Sequence, residues 1–214
     1  MSQPITQVRE TGLKARNRSI RRKRICDVAM KLLAAKGYDR TSLKDIADEL
    51  GIRHPALYYY YRSKDEILLD AVSSTMNKLV SALREALEDL GDASPDDCLR
   101  CLAERQVEFQ LEVKGLIPLV DSVLFGPLSA AGIIDAEGRR TLVGVQRELT
   151  DLYRRQIERG QREGVFRVES IAAATYTVLG AISYVVYWFR DDGPKTRDEI
   201  ARIVAGLCVA ALNR

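Results

Sequence analysis

Histidine is almost missing from this chain: His54 is the one copy in 214 residues. A Ser-His-Asp constellation in the C-terminal two thirds is therefore excluded, and so are paired histidine metal ligands. The glycine-rich loop that cradles nucleotide phosphates is also lacking. Cysteine is scarce, at Cys26, Cys98, Cys101 and Cys208, too few for a disulfide framework in a chain of this size. Cys98-x-x-Cys101 is the one close pair, with no second pair to complete a four-ligand zinc site. It reads as structural, with a redox switch as the alternative. The polar N-terminus carries no apolar signal segment, and the cytoplasm is the expected compartment. Long apolar runs are missing apart from one, Ile171 to Phe189. Thr175, Tyr176, Thr177, Ser183, Tyr184 and Tyr187 interrupt that run, which argues against a membrane span.

What is present is ordinary for a globular protein: 46% hydrophobic and 29% charged residues. The net charge of +3 hides an asymmetry. Residues 1–64 hold 15 Lys/Arg against 6 Asp/Glu, whereas residues 65–214 hold 18 against 24. A basic third on an acidic body suits a protein that meets phosphates at one end. The length fits a small domain plus a larger one.

Residues 41–64 organise the chain. Ser42 with Asp45 forms a capping box, and Leu43, Ile46, Ala47 and Leu50 make one buried helical face. Gly51 permits a tight turn with positive φ, anchored by Ile52. A second helix starts near His54 with Pro55 in its first turn, and Ser63 with Glu66 caps a third. Helix, glycine turn and short helix make a helix-turn-helix. In the second helix Leu57 and Tyr61 face inward. Pro55 and Tyr59 point away, and Tyr58 and Tyr60 flank them. Phenol groups so exposed can bond phosphate oxygens and stack on sugars. Arg53 and His54, at the helix start, are candidates for contact at or near base edges.

The run from about Arg24 to Leu69 resembles the DNA-binding domain of tetracycline-repressor (TetR) family regulators. The resemblance rests on Ser42, Ile46-Ala47, Gly51-Ile52, Leu57-Tyr58 and Ser63-Lys64. Tyr60 and Tyr61 replace the usual His-Phe, and Arg53 stands where many members have serine. By this match Ser42, Lys44, Tyr58, Tyr59, Tyr60 and Lys64 are expected at phosphates. The family also implies an all-α fold of about nine helices, homodimerisation through the last two, and a double-stranded operator as partner.

The rest of the chain reads as helices. Residues 1–18 are expected to be a flexible basic arm, residues 19–64 the DNA-binding domain, and residues 65–214 a ligand-binding and dimerisation domain. Basic residues Lys14, Arg16, Arg18, Arg21, Arg22, Lys23 and Arg24 are unbroken by any acid and are expected at phosphates or the adjacent minor groove. A helix from about Ser19 to Lys36 would roof the helix-turn-helix. Ser63 opens a long helix to about Leu90, and Ser94 another to about Lys114. Residues 115–134 are apolar yet broken by Gly115, Pro118, Gly126, Pro127 and Gly132. They read as a broken core helix or as the wall of a ligand cavity. Candidate lining is Phe109, Leu116, Leu119, Val120, Val123, Leu124 and Phe125, with Tyr153, Tyr176, Tyr184 and Trp188 from the later helices. Helices from about Glu137 to Glu163, over Ile171–Phe189, and after Thr196 complete the body. The middle one is apolar all round, which in so small a domain implies a partner subunit.

The reading is a homodimeric DNA-binding regulator, most simply a repressor, released by a small molecule. A helical module without such a switch is the alternative, and no enzymatic site or cofactor is expected. The segments Gly160 to Val165, Tyr187 to Arg190 and Asp192-Gly193-Pro194 are similar to a TetR subgroup of lipid catabolism. That likeness implies an acyl-CoA effector. An unrelated apolar effector is the other possibility.

Overall fold

The computed structural model describes residues 5–213, with side chains from Arg16 onward. Among the described residues every regular element is helical. The order is α1 (Ile5–Lys36), α2 (Leu43–Glu49), α3 (His54–Tyr58), α4 (Lys64–Leu90) and α5 (Pro95–Glu112). A 3-10 turn (Lys114–Leu116), α6 (Ile117–Leu124), α7 (Pro127–Ala130), α8 (Ala136–Arg162), α9 (Ile171–Trp188) and α10 (Arg197–Leu212) follow. With the single turn α7 set aside, these are the nine helices expected.

Packing divides the chain into two compact units. One comprises residues up to Ser74 together with Pro118–Gly138; the other comprises Thr75–Ile117 and Arg139–Arg214. The boundary falls within α4, nearly three turns beyond residue 64, because Ile67, Leu68, Ala71 and Val72 are buried in the first unit's core.

The first unit is built on α1 to α3. α1 buries Ile25, Cys26, Ala29, Met30 and Leu33, while Val28 and Leu32, expected in the core, are half-buried. Residues 5–18, expected within a flexible arm, form the first part of α1, and the first four residues of that expected arm lie outside the described residues. Lysine, arginine, glutamate and glutamine in this stretch are good helix formers, and charge spread along a helix needs no apolar period. The side chain of Lys14 lies outside the described residues. α2 starts at Ser42 with the full capping box and ends at Gly51, whose φ is +66°. Ile52 N–H reaches Ala47 O at 3.0 Å, which closes the turn.

In the second unit, α10 and α9 both pack on α5. Ser94, Ser170 and Thr196 cap α5, α9 and α10. Tyr153 is fully buried, and its hydroxyl lies within hydrogen-bonding distance of two acceptors on α5, Leu102 O at 2.9 Å and Gln106 Oε1 at 2.8 Å. This bond pins α8 to α5. α9 is long and apolar enough to cross a membrane, yet only 28% of it is buried within the chain.

Candidate nucleic-acid interface and body surfaces

α3 is five residues long, too short to be stable alone, so its neighbours decide what it presents. Leu57 is fully buried and Tyr61 is 1% exposed, which fixes the inward face as the spacing predicts. Tyr59 is 70% and Tyr58 51% exposed, and Pro55 also faces outward. Tyr60 is half-buried, with its ring edge-on to Tyr59 at 5.1 Å. His54 is half-buried against Tyr58, ring centres 5.1 Å apart. Arg53 caps α3 with extended backbone and no side-chain cap bond, which leaves its guanidinium in solvent. Lys44 is exposed on α2.

A hollow of about 510 Å³ opens beside this face, lined by Arg18, Arg22, Tyr58 to Tyr61, Arg62 and Glu66. Arg18 lies 5.6 Å from the centre of the Tyr59 ring. Cations over exposed phenols are a chemistry suited to phosphodiester and sugar.

Three of the residues expected at phosphates have other partners. The Lys64 ammonium donates to Tyr38 O at 2.6 Å and Thr41 O at 2.9 Å, and sits 3.8 Å from the centre of the Tyr38 ring. It fastens the loop between α1 and α2 to the start of α4. A lysine beside two open carbonyls satisfies them in preference to reaching for solvent. The Ser42 hydroxyl accepts from Asp45 N–H at 3.1 Å and also bonds its carboxylate. The Ser42 hydroxyl and the Ser42 backbone N–H, at 2.8 Å, both donate to the Asp45 carboxylate and hold it below the usual carboxylate range. Arg22, part of the basic run expected at phosphates, turns inward to Asp70.

The body candidates are dispersed. Leu119, Val120 and Val123 are buried, Leu124 is half-buried and Phe125 is 70% exposed, all in the first unit. Phe109, Leu116 and Tyr153 belong to the second, the first two half-buried. Tyr176, Tyr184 and Trp188 do not line the interior of the chain, being 66%, 64% and 48% exposed. α9 gives its inward face to Thr175, Val178, Ile182, Val185 and Val186, and these rings share the opposite one. Tyr187 of α9, and Ile203 and Leu207 of α10, are likewise large apolar side chains left exposed. Burial also weakens the redox reading of Cys98 and Cys101: it raises both thiols, and a scarce thiolate is a poor nucleophile.

Residues 25–71 match the family described as "Bacterial regulatory proteins, tetR family". Residues 92–212, more than half of the chain, match "Tetracyclin repressor-like, C-terminal domain". The chain belongs to the TetR family. It is a helix-turn-helix transcriptional regulator and not an enzyme. A TetR regulator, PfmR of Thermus thermophilus, has 30% identity and a TM-score of 0.75, over 89% of this chain and 99% of that one. KstR2 of Rhodococcus jostii, named a transcriptional repressor, is 22% identical over 86% of this chain and 87% of its own. AibR, solved with isovaleryl coenzyme A and operator DNA, shares the fold at 19% identity and TM-score 0.69, over 90% of this chain and 98% of that one.

Sequence reasoning missed three residues of the head: Tyr38, Asp70 and Arg62. Tyr38 donates its hydroxyl to Asp65. Asp70 interrupts the apolar stripe of α4, a signal that was legible, since an acid beside buried positions needs a partner. Arg62 carries no periodic signal.

Proposed function

We propose that this regulator binds a pseudo-palindromic operator as a homodimer and represses transcription until a small effector releases it. One observation carries the DNA half: two exposed tyrosines, Tyr58 at the end of α3 and Tyr59 just after it, beside a hollow edged by Arg18 and Arg62. In this reading Arg53 and His54, at the start of α3, meet base edges, with Pro55 and Tyr60 shaping the docking face. Lys44 on α2 meets the backbone. Ser42 and Lys64 contribute by holding α2 and the α1–α2 loop in place. A single α3 reads too few base pairs, so two copies about 34–36 Å apart address successive major-groove faces.

The apolar surface of α9 and α10 supports dimerisation. Tyr176, Tyr184, Trp188 and Leu207 left in water are what a four-helix interface between two copies would cover. The effector reading is supported by the apolar residues 116–125 and by AibR, whose structure holds an acyl-CoA. Moving the operator-competent population from 99:1 to 1:99 requires about 5.5 kcal/mol of differential affinity. An apolar effector burying a few hundred Å² at about 25 cal/mol/Å² supplies that. Binding DNA places the protein in the cytoplasm.

The test is a mobility shift on duplexes selected from a random palindromic pool, at several salt concentrations, with wild type and Tyr59→Ala. The expected result is a dimer complex that weakens with salt, and a loss of about tenfold or more in the variant. Isovaleryl-CoA and longer acyl-CoAs added to the complex test the switch. A monomer that selects no sequence refutes the DNA reading. A complex that survives every acyl-CoA favours an unrelated apolar effector or no switch.

A further inference from the structure

Where α1, the end of α3 and the second turn of α4 meet, one carboxylate collects several donors. Arg22 Nε and Nη2 reach Asp70 Oδ2 at 3.2 and 3.0 Å, and the Tyr61 hydroxyl donates to the same oxygen. Arg22 spends its remaining nitrogen, Nη1, on the carbonyl of Tyr60 at 3.1 Å. Its guanidinium lies 4.1 Å from the centre of the Tyr61 ring, and Cys26 Sγ is 3.0 Å from the Tyr61 hydroxyl. The Tyr61 ring is 1% exposed, so this end of the recognition segment is clasped from both sides. Burial and the bond to Asp70 push the Tyr61 phenol far above its ordinary range, so it stays a donor. The Tyr60 carbonyl is one of the groups a helix end leaves without an internal partner.

α3 has too few residues to hold its own direction, and two exposed tyrosines, Tyr58 at its end and Tyr59 at its C-cap, stand directly before the clasp. We propose that Asp70 is a positioning residue for operator recognition: through Arg22 and Tyr61 it sets the pitch of α3 without touching DNA. The proposal rests on the operator-binding reading above and gives that reading a mechanical part. Asp70 lies on α4, the helix that continues into the second unit, so a turn of α4's first residues is delivered to α3 through this oxygen.

The proposal reverses the sign expected from charge alone. Asp70 lies in a basic head, and removing a carboxylate there should tighten DNA binding by simple electrostatics. A positioning role predicts weaker binding, and weaker only to the right sequence. The experiment measures fluorescence anisotropy of the full-length protein with wild-type-selected duplex and with a scrambled one, across salt. The variants are Asp70→Asn, Tyr61→Phe, Arg22→Met and the double Arg22→Met/Asp70→Asn. Asp70→Asn should lose about 10- to 100-fold for the selected duplex. Affinity for the scrambled duplex, and the salt slope, should be unchanged or slightly raised. The double variant should be no worse than the weaker single, because both act through one clasp. Equal or tighter binding of Asp70→Asn to the selected duplex overturns the proposal, as does additivity in the double variant. If thermal melting shows Asp70→Asn unfolded, Tyr61→Phe decides: it keeps the buried ring, and wild-type affinity there overturns the proposal too. A wild-type protein that selects no DNA sinks the operator reading itself, a result distinct from all of these.

Discussion

Replacing Lys64 with methionine separates two roles that the sequence motif leaves merged. Methionine keeps most of the aliphatic stem and removes the ammonium. Two bonds to carbonyls go, at 2.6 and 2.9 Å, with a cation–ring contact at 3.8 Å. Tyr38 O keeps a second partner in Thr41 N–H at 3.3 Å, so Thr41 O bears most of the loss. Hydrogen bonds to a charged group contribute about 1.5–3 kcal/mol each, and a half-exposed cation–π contact about 0.5–1. One ammonium shared between two acceptors, partly in solvent, belongs at the low end. The expected destabilisation is about 2–4 kcal/mol in the first unit. For a unit of this size that lowers its melting temperature by about 10–20 °C. Scanning calorimetry reads the melt, and hydrogen exchange of peptides spanning residues 37–43 localises it, with faster exchange expected in the variant. Operator affinity should fall only as far as the head is unfolded, with the salt slope intact. Unchanged melting and exchange, with an operator salt slope reduced by about one, would make Lys64 a phosphate ligand and refute the reasoning.

Leu207 is 65% exposed on α10, so Leu207→Glu should remove about 1–2 kcal/mol of dimer burial per copy and add a charge; sedimentation equilibrium should show dissociation raised about 30-fold or more. A dimer of wild-type affinity in that variant would move the interface elsewhere. A Cβ on Gly160 would lie 2.1 Å from the Phe166 ring, itself 2% exposed, so Gly160→Ala should cost about 1–3 kcal/mol in urea unfolding. Gly144→Ala on the same helix meets nothing within 4 Å and should stabilise by about 0.5–1 kcal/mol. Burial pushes the Cys26 thiol up to about 12 and that of Cys208 to about 11. A raised thiol holds less thiolate at any given pH, so both should resist alkylation at pH 8 and react when urea opens the fold. Fast labelling of the native protein at Cys26 would contradict its packing against Tyr61.

Local signals determined much of this protein. Capping residues Ser42, Ser63, Ser94 and Thr196 stand at or beside the helix starts where the sequence puts them, because a cap is chemistry between residues three apart. Gly51 and the Leu57/Tyr61 spacing marked the turn and the inward face for the same reason. The start of α1 was missed, since a charged helix has no apolar period to betray it. What only the tertiary structure decided is which polar group meets which. Lys64 finds the carbonyls of a loop more than twenty residues earlier, and Arg22 finds Asp70 forty-eight residues on. Tyr176, Tyr184 and Trp188 lie on the outer face of α9, because the side of an apolar helix that faces the core depends on the helices packed against it. Those pairings are set by proximity in the fold, and a ladder of sequence intervals carries no information about it.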